Sequence, residues 1–393
     1  MDKPLTDALA GAKVLVLGGS GVIGSRLVEV LVEGCRADVS VLVRNLAKAV
    51  RIARHPVELI HGDVSDAELL ARAMQGKDIV VDCTFPKEGD FKARCAGARA
   101  MARTIGEAVL GQSVRRLVHL STISVYGRPS GAVLDETAPR QPGNDAYGAS
   151  KLASEQEMLR QHRERGLPAV VLQPTIVYGP FTGWTAGPIG QLKSGTFVLP
   201  DSGRGACNAV YLDDVVQAIL RAAVADGVGG EVMLVSGDPV PSWKAFYGAY
   251  ESMLGFSSTG AMSEAEIQNA LAAQAKAGRP ARRLLQRLRD DAALRQMVLG
   301  LPVVAQGYAA VKALMPKDRM EGIKDRMLDR RAPAAATPAK PLLFPTQVQL
   351  GIYVPETRVS IDRARRLLGY APAFDLERGM ALTRAWAEWA RLL

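Results

Sequence analysis

The stretch KVLVLGGSGVIGSRLVEVLVEG, residues 13–34, decides the fold. Its opening, KVLVLG (13–18), is a short apolar run closed by glycine, which reads as a buried parallel strand. GGSGVIG (18–24) comes next, and SRLVEVLVEG (25–34) carries apolar residues at helical spacing until Gly34 stops it. Within the turn, Gly19, Gly21 and Gly24 have the spacing G-x-G-x-x-G. Glycine permits a tight turn there and lets a pyrophosphate approach backbone N–H groups at a helix start. Gly18, Gly19, Ser20, Gly21, Val22, Ile23 and Gly24 are therefore the candidate phosphate cradle.

Outward from this unit, strands and helices alternate. DVSVLVR (38–44), VELIHGDV (57–64), KDIVVDCT (77–84), RRLVHLST (115–122) and LPAVVLQPTIVYG (167–179) read as strands two to six. DAELLARAMQG (66–76) and residues 91–110 read as helices. The pattern predicts an α/β fold with a doubly wound parallel sheet, whose ligands bind beyond the carboxyl ends of the strands. Helix 212–226 and strand EVMLVSG (231–237) return to that sheet, and RVSIDRARRLLGY (358–370) holds a helix starting near Ser360. The expected division is a dinucleotide-binding domain over 1–180, with sheet returns at 207–237. A mainly substrate-binding region over 181–393 would include a basic helical insertion at 256–346.

Composition sets the outer limits. The 393 residues are 48% hydrophobic and 23% charged, which excludes general disorder, collagen and disulfide-scaffold classes. Cys35, Cys83, Cys95 and Cys207 form no CxxC, and His55, His61, His119 and His162 have no metal spacing, so no metal site is expected. MDKPLTDALAGAK lacks an apolar signal core, and Leu301–Met315 is too short to span a bilayer, so a cytoplasmic protein is expected. Net charge is +9, but residues 256–346 hold 15 Lys/Arg against 8 Asp/Glu. The excess is local, and no nucleic-acid partner is expected from it. ARRLLQRLR (281–289) and KDRMEGIKDRMLDRR (317–331) flank an apolar run. Three readings stand for this segment: a solvated insertion, a lid, or a peripheral membrane contact through 281–331.

The strand ends carry the chemistry. An acid ending the second strand would bind the ribose 2′-hydroxyl of NAD, but Arg44 stands there and suits a 2′-phosphate. NADP is thus preferred, with NAD second. Asp63 and Val64, ending the third strand, are placed at the adenine, and Thr84 ends the fourth. Tyr147 and Lys151, in YGASK, share a helix face, so the ammonium is expected to lower the phenol pKa. A phenol so tuned exchanges a proton at a substrate oxygen. Thr122 is placed to orient that oxygen. A second YxxxK, Tyr308 to Lys312, follows no sheet strand and reads as one face of an amphipathic helix.

GGSGVIG, HGDV, LSTISVYG, YGASK, QPTIVYGP, AVYLDDVV and SIDRARRLLGY together resemble the extended short-chain dehydrogenase/reductase family, a Rossmann-fold group, over about residues 12–255 and 356–385. The resemblance implies a catalytic set of Tyr147, Lys151 and Thr122, with Lys151 also on the nicotinamide ribose. It implies that Pro174 to Val177 lie against the nicotinamide, and it suggests a homodimer. Departures narrow the function. Family 4,6-dehydratases carry Asp-Glu after the threonine, where this chain has Ile123 and Ser124. Nucleotide-sugar epimerases carry a diphosphate-gripping arginine where this chain has Cys207, leaving Arg204, three residues earlier, to compensate. The family asparagine of the helix before the fifth strand is matched by Arg94. Thr122, Ser124, Tyr147 and Arg204 are the candidate substrate residues. The expected activity is interconversion of a ketone and a secondary alcohol in a small-molecule substrate. The alternatives are a nucleotide-sugar epimerase and a non-catalytic NADP-binding sensor.

Overall fold

The computed structural model describes residues 3–86, 89–277 and 341–393. The basic segment 281–331 and the Tyr308–Lys312 pattern lie outside them. Seven parallel strands form the main sheet: β1 Lys13–Leu17, β2 Asp38–Val43, β3 Glu58–His61, β4 Ile79–Asp82, β5 Arg116–Leu120, β6 Ala169–Pro174 and β7 Val232–Val235. Their spatial order is β3-β2-β1-β4-β5-β6-β7, so the crossover changes direction at β1. A doubly wound sheet places its ligand crevice at that point.

The described helices are α1 Lys3–Leu9, α2 Val22–Glu29, α3 Ala67–Met74, α4 Phe91–Leu110, α5 Ala146–Arg165, α6 Gly183–Ser194, α7 Leu212–Val224, α8 Trp243–Leu254, α9 Glu264–Ala277, α10 Gln347–Tyr353, α11 Asp362–Leu368 and α12 Leu376–Trp389. Alternation along β1 explains the two layers. Val14 and Val16 pack into one aliphatic core with Leu27, Val215 and Ile219 of α2 and α7. Leu15 and Leu17 enter the opposite core, with Met74, Ile105, Val109 and Met158 of α3, α4 and α5.

The expected sixth strand, 167–179, is two strands. Ala169–Pro174 stays in the main sheet, whereas Ile176–Tyr178 pairs in parallel with Ala209–Tyr211 in a separate two-stranded sheet. The chain changes partners at Thr175. Its N–H donates to the Val235 carbonyl at 3.0 Å, and the next N–H, of Ile176, donates to Asn208 at 3.1 Å. The last expected helix begins at Asp362, whose N–H is received by the Ser360 hydroxyl at 3.2 Å. A third core is aromatic. Phe197, Trp243, Phe246, Tyr247, Tyr250 and Tyr353 pack together beyond the carboxyl ends of the main sheet's last strands. Among the described residues no helix is long and apolar enough to cross a membrane.

Candidate active site

The turn between β1 and α2 has the form a phosphate needs. Gly18 has φ +76°, and a Cβ there would lie 2.8 Å from the Cys83 carbonyl oxygen, so only glycine fits. Gly21 caps α2 with no side-chain hydrogen bond. By contrast, Asp66 and Asp145 cap α3 and α5 by accepting backbone N–H bonds. The first-turn amides of α2 are thus left to an incoming anion, which the helix dipole also favours. This cradle fits a dinucleotide pyrophosphate.

Arg44 follows β2 and Asp63 follows β3. Their side chains meet at 3.6 Å, with Arg44 65% exposed. Asp63 also accepts the Ser65 N–H at 2.9 Å. Partial burial pushes the Asp63 carboxyl up, but the Ser65 bonds and the Arg44 charge outweigh it and hold it below the usual range. Val64 is buried beside it. Asp63 is therefore engaged by Arg44 and Ser65.

The catalytic candidates converge through a close approach of two turns. Thr122 ends β5 and caps a short helical turn over Ile123–Tyr126, accepting the Ser124 N–H at 3.3 Å. α5 starts against that turn. A Cβ on Gly148 would lie 2.5 Å from the Ser124 carbonyl oxygen, so glycine after Tyr147 lets the helix seat there. The Tyr147 phenol lies close enough to the Thr122 hydroxyl for the two to interact, and both line one cavity. The Phe85 ring meets Tyr147 edge-on, centroids 4.8 Å apart, and Arg94 covers the Phe85 ring at 5.3 Å.

Lys151 sits one turn behind Tyr147 and is buried. Its ammonium donates to the Leu120 carbonyl at 2.6 Å and the Thr84 carbonyl at 3.0 Å. This corrects the expected tuning. Burial raises the Tyr147 phenol above its ordinary value, with the Thr122 bond working against the rise and the Asp145 charge adding to it. The Lys151 charge is spent on strand-end carbonyls instead. Thr84 contributes that carbonyl, while its own N–H and hydroxyl are turned onto Asp82.

A cavity of about 580 Å³ connects these parts. Val22 and Ile23 of α2 line one end, Thr122, Ser124, Tyr147 and Val177 its middle, and residues of 347–357 its far wall. Tyr147, 37% exposed, opens into it. The lining is largely apolar, and its charged members are Arg128 and Asp145. Asp145 is occupied capping α5, and Arg128 is held by both oxygens of Glu264 at 2.8 and 3.1 Å.

The structure also shows where the remaining expected residues lie. Arg204 is exposed and does not line the cavity, because the turn at Asp201–Gly203 carries it outward. Cys207 is fully buried in the aromatic core, so no cation occupies the place of the family arginine. Pro174 ends β6 and does not line the cavity, whereas Val177 does. Phe85, which meets the Tyr147 ring, and Arg128, which lines the cavity, were not read as site residues. A Phe two residues after a strand end and an Arg after the VYG turn were the available signals.

The chain resembles known proteins most clearly in this half. It is 32% identical over 219 residues to UDP-glucose 4-epimerase of Azospirillum brasilense, covering 52% of this chain and 59% of that protein. It is 30% identical over 250 residues to 3-diazoavenalumate denitrifying reductase of a Streptomyces species, covering 60% and 80%. The chain spans 55–59% of the length of the first curated relatives it matches. In fold it is similar to UDP-glucuronic acid 4-epimerase of Bacillus cereus in complex with NAD. The TM-score is 0.65 and the identity 20%, over 96% of this chain and 99% of that one. The model of the NAD dependent epimerase/dehydratase family matches residues 14–236. With its parallel sheet, glycine turn and Tyr147–Lys151 pair, the chain belongs to this family of enzymes, the extended short-chain dehydrogenase/reductases.

Proposed function

We propose that the protein interconverts a ketone and a secondary alcohol in a small, largely apolar substrate. The observation that carries this is that Tyr147 and Thr122 line one largely apolar cavity together with Val22 and Ile23 of the α2 helix start. A nicotinamide dinucleotide, when bound, supplies or accepts the hydride. Gly18 to Gly24 would hold its pyrophosphate and Lys151 its nicotinamide ribose, with Val177 beside the ring. Thr122 orients the substrate oxygen, and Ser124 lies beside it. Tyr147 moves the proton. With its phenol protonated at neutral pH, Tyr147 can donate to a carbonyl oxygen as hydride reaches the adjacent carbon, and it takes the proton back in the reverse direction.

Arg44 supports NADP over NAD. The Arg44–Asp63 pair is mostly exposed and wide, so it is weak enough to yield to a 2′-phosphate. No acid ends β2 to receive the ribose 2′-hydroxyl of NAD. Ile123 and Ser124, both lining the cavity, supply no acid–base pair for dehydration. Buried Cys207 supplies no cation for a diphosphate. A homodimer is part of the same reading, on the family resemblance.

A second reading, nucleotide-sugar epimerisation, is favoured by the named epimerase relatives. The two are separated by supplying purified protein with NADPH or NADH and either ketones or UDP- and dTDP-hexoses. Net nicotinamide consumption with a ketone, lost in Tyr147→Phe, supports the oxidoreductase. Sugar epimerisation without consumption, on a co-purifying NAD, would replace it.

A further inference from the structure

Lys151 has an unusual setting. It is 5% exposed, and both of its recorded hydrogen bonds go to neutral backbone carbonyls. A buried ammonium without a direct counter-ion is costly unless a charge lies close behind it. That charge is Asp82, the last residue of β4, itself 2% exposed. One Asp82 oxygen receives the N–H and hydroxyl of Thr84, at 2.9 and 2.5 Å. The other meets His119 Nδ1 at 2.8 Å. His119 Nε2 in turn lies 3.2 Å from the Ser154 hydroxyl, which donates to the Lys151 carbonyl at 2.9 Å. The side chains of Asp82, Thr84, His119, Lys151 and Ser154 bound a common space of about 10 Å³.

We propose that the buried Asp82–His119 pair is a positioning unit for Lys151. Asp82 locks the Thr84 turn whose carbonyl binds the ammonium, and it supplies the negative charge that the ammonium's direct partners lack. His119 holds Asp82 in place and, through Ser154, ties it to the α5 turn that carries Lys151.

The other titratable groups around Lys151 are already committed. Cys83, beside Asp82, is pushed up to about 12 by burial and stays a neutral thiol. Glu155, one turn along α5, receives Ser121 and Gln173 and is ion-paired with Arg140 at 2.7 Å. Tyr147 is protonated. Electrostatics agree with this assignment. Burial lowers the Lys151 ammonium, and Asp82 is the largest influence opposing it. Burial likewise pushes Asp82 up, but the His119 hydrogen bond and charge, the Lys151 charge and the Thr84 bond outweigh it, and its carboxyl lies below the usual range.

The unit rests on Lys151 being the cofactor lysine, but its test needs no substrate. Lysine labelled with ¹³C at Cε is titrated by NMR in the full chain, with the Lys151 signal assigned by its loss in Lys151→Met. Asp82→Asn keeps an acceptor for Thr84 and removes the charge. The Lys151 midpoint is expected to fall by about one unit or more. NADPH affinity of that variant should begin to fall at a lower pH than the wild type's, by the same interval as the Lys151 midpoint moves. Asp82→Glu should recover part of the shift. An unchanged Lys151 midpoint in a folded Asp82→Asn variant overturns the proposal. If Asp82→Asn does not fold, Thr84→Val carries the test by freeing one bond to Asp82. A lowered midpoint is then expected, and an unchanged one overturns it. Full activity in Tyr147→Phe would sink the proposed reaction while leaving this result standing.

Discussion

The seven-stranded sheet and the aromatic core are held by different means. The sheet is aliphatic and repetitive, with Val, Leu and Ile alternating between two layers and helices of ordinary length on each. The aromatic core joins four rings of one helix, α8, to Phe197 and Tyr353 from distant parts of the chain. Trp243, Tyr247 and Tyr353 meet within 6.4 Å, and Tyr247 stacks on Phe197 at 4.9 Å, nearly parallel. Their hydroxyls are tied as well, Tyr247 to Tyr353 at 2.8 Å and Tyr250 to the Trp184 carbonyl at 2.9 Å. An aliphatic sheet tolerates changes that keep volume, and it presents generic backbone groups to a cofactor shared by a whole family. A core of interlocked, hydrogen-bonded rings tolerates little.

The largest effect separating the two regions is expected where they meet. Tyr147→Phe should lower turnover by roughly 10²–10⁴-fold, while dinucleotide affinity, read by titration calorimetry, stays within about twofold because the phenol is not part of the pyrophosphate cradle. Trp243→Ala should lower stability by about 3–5 kcal/mol in denaturant unfolding, since it empties a fully buried ring site. The variant that stays folded should still bind dinucleotide. Loss of that binding would show the two regions to be one cooperative unit. Gly148→Ala forces a Cβ against the Ser124 carbonyl, so turnover should fall on the order of tenfold with a stability loss of about 1–3 kcal/mol. In the sheet, Ile79→Val should cost only about 0.5–1.5 kcal/mol and leave turnover untouched. Arg44→Ala is expected to have the smallest effect on fold and rate. It should weaken NADPH by roughly 1–2 kcal/mol, or about tenfold, and leave NADH alone.

What could be read from the sequence follows the same line. β1, its glycine turn and α2 were legible because a buried strand, a phosphate turn and an amphipathic helix each have a local pattern. Helix α4 was legible at both ends, with Asp90 capping its start and Gly111 its finish. The change of sheet at Thr175 was not, because LPAVVLQPTIVYG is apolar on both sides of the switch and the new partner, Ala209–Tyr211, lies over thirty residues away. The Tyr147–Thr122 meeting was anticipated from motif spacing, but the carbonyls that hold Lys151 were not. They come from Thr84 and Leu120 and exist only once β4 and β5 lie side by side. The aromatic core was legible only in part: Trp243, Phe246, Tyr247 and Tyr250 recur at helical spacing in α8, but their partners at 178, 197 and 353 share no local period with them. Arg204 does not line the cavity, and the left-handed Ser202 in the turn before it is not visible in composition.

The most direct test of the account is calorimetric titration of cofactor-stripped protein with NADPH and NADH. The predicted result is one dinucleotide per chain, NADPH the tighter, with the preference removed in Arg44→Ala and binding retained in Tyr147→Phe. Failure of the folded protein to bind either dinucleotide would contradict it.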